Sequence, residues 1–141
     1  MSKVSILQPQ GNYSSIPLFS GKVSAGFPGV VDEHMEERLS LDQLLIKHPA
    51  TTFFAKVDGD SMINAGIYQN DILVVDRSLH AKDKDIVVAL VDNEFTVKRL
   101  RQRAGKVWLQ AENSAYKDII ISGESELIIW GVVTGMTRTF R

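Results

Sequence analysis

The sequence predicts a compact, mostly antiparallel β domain with an extended N-terminal arm and one short helix. Three observations carry this. From Thr51 onward, short apolar runs alternate with turn signals, as in Ile72-Leu73-Val74-Val75 followed by Asp76-Arg77. Helical spacing recurs in one stretch, Ser40 to His48. Residues 1 to about 38 scatter Gly, Ser, Asn and Pro among short, aperiodic apolar clusters.

Composition bounds the function. At 141 residues the chain makes one domain that can bury a real core. A hydrophobic fraction of 44% and a charged fraction of 23% are ordinary for a globular protein. The formal net charge of −1 argues against a general nucleic-acid binder, which would normally be basic, and no direct sequence-specific DNA binding is expected. The absence of cysteine removes disulfides, thiol nucleophiles and cysteine zinc sites. No apolar run is long enough to span a membrane, and the first residues have too short an apolar core for a signal peptide, so a cytoplasmic protein is expected.

Taken in order, the arm (residues 1–38) carries Lys3 and Lys22 but no acid in its first 25 residues. Such a segment buries too little apolar surface to hold itself together, and reads as an extended arm that docks on something. Within it, Lys22-Val23-Ser24-Ala25-Gly26-Phe27-Pro28 sets small residues between apolar anchors. These suit close approach of a protease to the backbone, or a plain linker. The second domain, residues 39–141, opens with Ser40-Leu41-Asp42-Gln43, which has capping-box spacing. Leu41, Leu44 and Leu45 form the helix's apolar stripe, and His48-Pro49 ends it, with His48 placed to serve the last carbonyls.

Strands follow. Thr52 to Val57 runs into Asp58-Gly59-Asp60-Ser61-Met62, where Gly59 allows a tight turn. Asp85 to Val91 and Glu94 to Leu100 flank Asp92-Asn93, a hairpin signature. Lys106 to Gln110, a loop at Glu112 to Tyr116, and Ile119 to Ile121 come next. Leu127 to Val133 is the last strand, with Gly131 where a bulge or bend would sit.

The residue to explain is Ser61, a hydroxyl in a turn straight after an apolar strand. Serine attacks only when a neighbouring base removes its proton. Amides at such a turn can face an oxyanion; equally, Asp60 or Ser61 can simply cap a short helical turn from Ser61 to Asn64. None of the three histidines is favoured as base: His34 lies in an acidic junction, His48 at a helix end, His80 in a polar turn. No His, Asp and Glu spacing suggests a metal, and no cofactor is implied. Lys98 is more telling. Along Phe95 to Leu100 the side chains alternate, and the partner strand is apolar on both faces, so one of Lys98 and Arg99 must lie against apolar neighbours. Arginine keeps its proton, whereas burial can lower a lysine by several pKa units. The competing reading is a lysine that snorkels to water.

Gly59-Asp60-Ser61-Met62, then Phe95-Thr96-Val97-Lys98-Arg99-Leu100, with Ala25-Gly26 upstream, resembles the LexA-like self-cleaving serine peptidases, most closely their UmuD-like SOS mutagenesis branch. The likeness extends through Ile16 to Ser20, Leu41 to Ile46, Asn113-Ser114-Ala115-Tyr116 and Gly131-Val132-Val133. It implies a LexA C-terminal-like fold of the β-clip type. It also implies a Ser/Lys dyad of Ser61 and Lys98, an oxyanion site at the Asp60 and Ser61 backbone amides, and cleavage between Ala25 and Gly26. The implied partners are a second copy in a homodimer, a RecA filament on single-stranded DNA that stimulates cutting, and a translesion polymerase of the UmuC type. The UmuD pattern has Cys-Gly at the cut bond, where this chain has the Ala-Gly pair of LexA; both put a small residue before glycine. LexA's winged helix-turn-helix has no room ahead of Ala25. An extended arm from Gly26 to Thr51 spans up to about 80 Å, so reach does not limit the reaction; holding the bond does.

Three other readings remain: a fragment of a LexA-like transcriptional regulator, a non-catalytic β-rich binding module, and a signal-peptidase-like enzyme. The last also uses a Ser-Met turn and a strand lysine, but needs a membrane anchor before the serine.

Overall fold

The computed structural model describes residues 3–7, 15–19, 36–123 and 126–141. The described chain forms two compact units: residues 3–7 with 48–141, and the described residues between 10 and 47.

The larger unit is one eight-stranded sheet in which every neighbouring pair is antiparallel. Its strands are β1 (Lys3–Leu7), β4 (Thr52–Asp58), β5 (Ile72–Asp76), β6 (Ile86–Val91), β7 (Glu94–Arg103), β8 (Lys106–Gln110), β9 (Ile119–Ile120) and β10 (Leu127–Thr137). The sheet order is β1-β4-β5-β10-β6-β7-β8-β9. The smaller unit pairs β2 (Ile16–Phe19) with β3 (Glu36–Leu39) and adds helix α1 (Leu41–Leu45). Ser40 caps α1 through its hydroxyl, which accepts the Gln43 amide at 3.3 Å. The mostly β architecture with one short helix is the one the sequence predicts.

β5 and β6 are buried on both faces over much of their length, which is why they read as continuous apolar runs. Val88 and Val97 join a core cluster with Ala55, Val57, Met62 and Leu73. Their neighbours Val87, Ala89 and Leu100 point the other way, into a second cluster with Leu109 and Val132. The β6–β7 hairpin turns on Asp92 and Asn93, both at positive φ (47° and 67°), the geometry of a tight two-residue hairpin loop. In β10 the register slips between Ile129 and Gly131. A Cβ at Gly131 would come within 2.6 Å of the Val75 side chain, so only glycine lets the strand pass here.

One pairing lies beyond the sequence pattern. β1, in the expected arm, is the edge strand of the main sheet, its Lys3–Leu7 matched to Asp58–Phe54 of β4. Val4 and Ile6 pack against the first core cluster.

Candidate active site

Ser61 owes its position to the turn that follows β4. Gly59 sits at φ 113°, a conformation that L side chains rarely adopt, and turns the chain out of the strand. Asp60 remains exposed, while Ser61 and Met62 turn inward and are 0% and 1% exposed. Met62 packs into the first core cluster, so apolar burial two atoms of backbone away holds the serine in place. A short 3-10 helix, Ile63–Ala65, continues from the turn and closes at Gly66, φ 81°. Neither Asp60 nor Ser61 caps it with a side chain; Met62 stands at the cap position and makes no side-chain cap bond. The Ile63 amide instead bonds the Asp60 carbonyl at 3.3 Å.

Lys98 lies mid-strand in β7, opposite Val87, and is 2% exposed. The snorkelling alternative therefore gives way to full burial. Its Nζ donates to Ser61 Oγ at 2.9 Å, to Thr96 Oγ1 at 2.9 Å and to the Val97 carbonyl at 3.1 Å. All three acceptors are uncharged. Burial without a counter-charge there pushes the ammonium down from 10.5 to about 8. The arrangement suits both protonation states. A charged lysine fills all three acceptors; a neutral one keeps its bonds to Thr96 and Val97 and offers its lone pair to the Ser61 proton.

A loop missed by sequence reasoning as a site element braces this pair. Asn113 Nδ2 donates to the Asp60 carbonyl at 2.9 Å, and the Tyr116 hydroxyl donates to the Asp60 carboxylate. The Asn64 amide donates to the Glu112 carbonyl at 2.8 Å. From the base-bearing strand, Arg99 Nε meets Glu112 Oε1 at 2.5 Å. Residues 112–116 thus bond the serine's turn on one side and the lysine's strand on the other. No local periodicity could have found this, since Asn113 and Asp60 stand 53 residues apart.

The other singled-out residues fall elsewhere. Ala25, Gly26 and His34 lie outside the described residues. His80 is exposed in a loop. His48, expected to serve helix carbonyls, has a tertiary partner instead: its Nδ1 meets Asp76 Oδ2 at 2.5 Å. Asp76 is buried, which alone would raise its pKa, but hydrogen bonds from His48, from the Ser78 amide and hydroxyl and from Thr51 hold it at about 2. Among the described residues, no three His, Asp or Glu side chains gather as a metal would require. Nor is any described helix long and apolar enough to cross a membrane.

Residues 17–134 match the family described as Peptidase S24-like. The chain is 41% identical to Protein MucA of Salmonella typhimurium over 135 residues, covering 94% of this chain and 92% of that protein. It is 40% identical over 128 residues to Protein SamA of Salmonella typhimurium, covering 91% of this chain and 89% of SamA. Against LexA repressor 2 of Geobacter sulfurreducens it is 45% identical over 125 residues, covering 88% of this chain and 60% of the repressor. With a family match across most of its length and such relatives, the chain belongs to the peptidase S24-like family, the SOS-related, self-cleaving group that its serine turn and strand lysine already resemble.

Proposed function

We propose that the protein cuts itself between Ala25 and Gly26, with Ser61 as nucleophile and Lys98 as general base. The observation that carries this is the 2.9 Å bond between a fully buried lysine and a fully buried serine. At pH 7 a lysine with a pKa of about 8 is neutral in roughly one molecule in ten, against about one in several thousand for an exposed one. The neutral amine takes the Ser61 proton as Oγ bonds to the Ala25 carbonyl carbon. The backbone amides of Asp60 and Ser61 bind the oxyanion that forms. Lys98 then returns the proton to the Gly26 nitrogen as the C–N bond breaks. Water, deprotonated by the same amine, hydrolyses the acyl-serine.

The resemblance to the SOS mutagenesis branch, with the similarity to MucA and SamA along nearly the whole chain, supports a wider role. A RecA filament on single-stranded DNA promotes cutting by favouring the docked, neutral-lysine state. The shortened homodimer then serves a UmuC-type translesion polymerase in the cytoplasm. The arm of residues 1–38 presents the bond, and residues 39–141 supply catalysis and dimerisation. Similarity to LexA repressors favours a second reading, a regulator of transcription. Capture of a translesion polymerase rather than RNA polymerase or a repressor separates the two.

The test is intact mass against pH. Spontaneous cutting should rise with pH through about 8 and yield a new N-terminus at Gly26. A mass that stays constant at pH 10, and also with RecA, nucleotide and single-stranded DNA, rejects the peptidase.

A further inference from the structure

We infer that Asn113 is a positioning residue that aims the Ser61 amide at the oxyanion; this rests on the peptidase reading above. A trans peptide unit is rigid and planar, and its C=O and N–H point in opposite directions. The Asp60 carbonyl and the Ser61 N–H belong to one such unit. Whatever holds that carbonyl therefore sets the direction of that N–H. Two donors hold it: Asn113 Nδ2 at 2.9 Å and the Ile63 amide at 3.3 Å. A carbonyl oxygen has two lone pairs, so it can accept both at once, and two donors restrain its swing more than one would.

The turn needs such a hold. Gly59, one residue ahead of this unit, is the residue with least steric restriction on rotation, and Asp60, which adjoins the unit, is exposed. Asn113 is itself fixed. Its Oδ1 accepts the Ala115 amide at 3.0 Å, which orients the carboxamide so that Nδ2 faces Asp60. The strand carrying Lys98 is tied to the same loop through Arg99 and Glu112 at 2.5 Å. One loop thus sets both the donor's direction and the base's distance. Tyr116 bonds the same residue, but through the Asp60 carboxylate, which rotates independently of the peptide plane.

The experiment measures the first-order rate of self-cleavage across pH for the full chain and for Asn113→Asp, Asn113→Ala and Tyr116→Phe. Asn113→Asp keeps an oxygen for the Ala115 amide but sets an anionic oxygen where the donor to Asp60 was, whereas Asn113→Ala removes that donor without adding charge. Both Asn113 variants should lower the alkaline plateau about tenfold or more, by misdirecting an oxyanion donor. In Asn113→Ala the pH midpoint should stay where the wild type has it, because none of the three groups that Lys98 Nζ bonds is altered. Tyr116→Phe should cost less than either. A plateau equal to the wild type's in Asn113→Asp overturns the inference. So does a midpoint displaced toward 10.5 in Asn113→Ala, which would mean that Asn113 acts by keeping water from Lys98. A wild type that never cuts overturns the peptidase reading itself, a separate result.

Discussion

The molecule holds two polar clusters built from the same kinds of group, a hydroxyl beside a titratable side chain, and their electrostatics are opposite. At Asp76 a buried carboxylate collects donors from His48, Thr51 and Ser78, so its charge is fully satisfied and held in place. At Lys98 a buried ammonium meets only neutral oxygens, so its charge is expensive and its proton loosely held. The first cluster fastens the start of the main unit, next to Pro49, onto the end of β5. The second spends stability to keep an amine within hydrogen-bond reach of a serine, the base in the proposed reaction. Reactive chemistry and structural support differ here in which charge goes unanswered, not in residue type.

The largest effect that tests this contrast is on cutting. Ser61→Ala and Lys98→Ala should each lower self-cleavage by on the order of a thousandfold or more, with the fold retained by circular dichroism. Substantial cutting in Lys98→Ala would mean that another base serves. Next comes stability against pH. The folded lysine titrates near 8 and the unfolded one near 10.5, so between these values the unfolded chain binds more protons. Stability should therefore rise as pH climbs from 8 to 10.5, by on the order of 3 kcal/mol, before other groups intervene. Denaturant titration should find that rise gone in Lys98→Ala.

Asp76→Ala should cost about 1 to 2 kcal/mol, since it removes the shared acceptor of four hydrogen bonds whose donors are exposed or half-buried, yet leave the cutting rate of the folded protein unchanged. Loss of cutting in a folded Asp76→Ala would erase the distinction between the clusters. Because the folded carboxyl titrates near 2 rather than 3.8, its contribution is complete above pH 3.8 and fades as pH falls toward 2. His48→Ala should be milder, about 1 kcal/mol or less, because the ring is half exposed and the other donors to Asp76 remain.

Much of the fold was legible from short apolar runs set between turn signals. Ile72 to Asp76 and Ile86 to Val91, buried on both faces over much of their length, stand where such runs put them. The burial of one of Lys98 and Arg99 was legible from alternation against an apolar partner strand, but the pattern left open which one, and left a snorkelling lysine possible; the fold buries Lys98. Its contact with Ser61 was not. Thirty-seven residues separate the two, and only tertiary packing joins them. His48 misled because its local setting, beside a proline at a helix stop, resembled a cap, while its real partner lies 28 residues downstream. The alternation of Val4 and Ile6 was present but too short to distinguish from a linker.

The edge strand β1 changes what severing the chain accomplishes. It lies upstream of Ala25, yet it is zipped onto β4, the strand that leads directly into Ser61. While the chain is whole, β1 is a tethered ligand whose local concentration is set by its own linker. Once the Ala25–Gly26 bond is gone, the same five residue pairs must hold an independent peptide against dilution, which so short a ladder does poorly. Hydrolysis would thus strip the border of the sheet as well as trim the leader, baring a row of backbone donors and acceptors on β4 that the intact protein keeps covered.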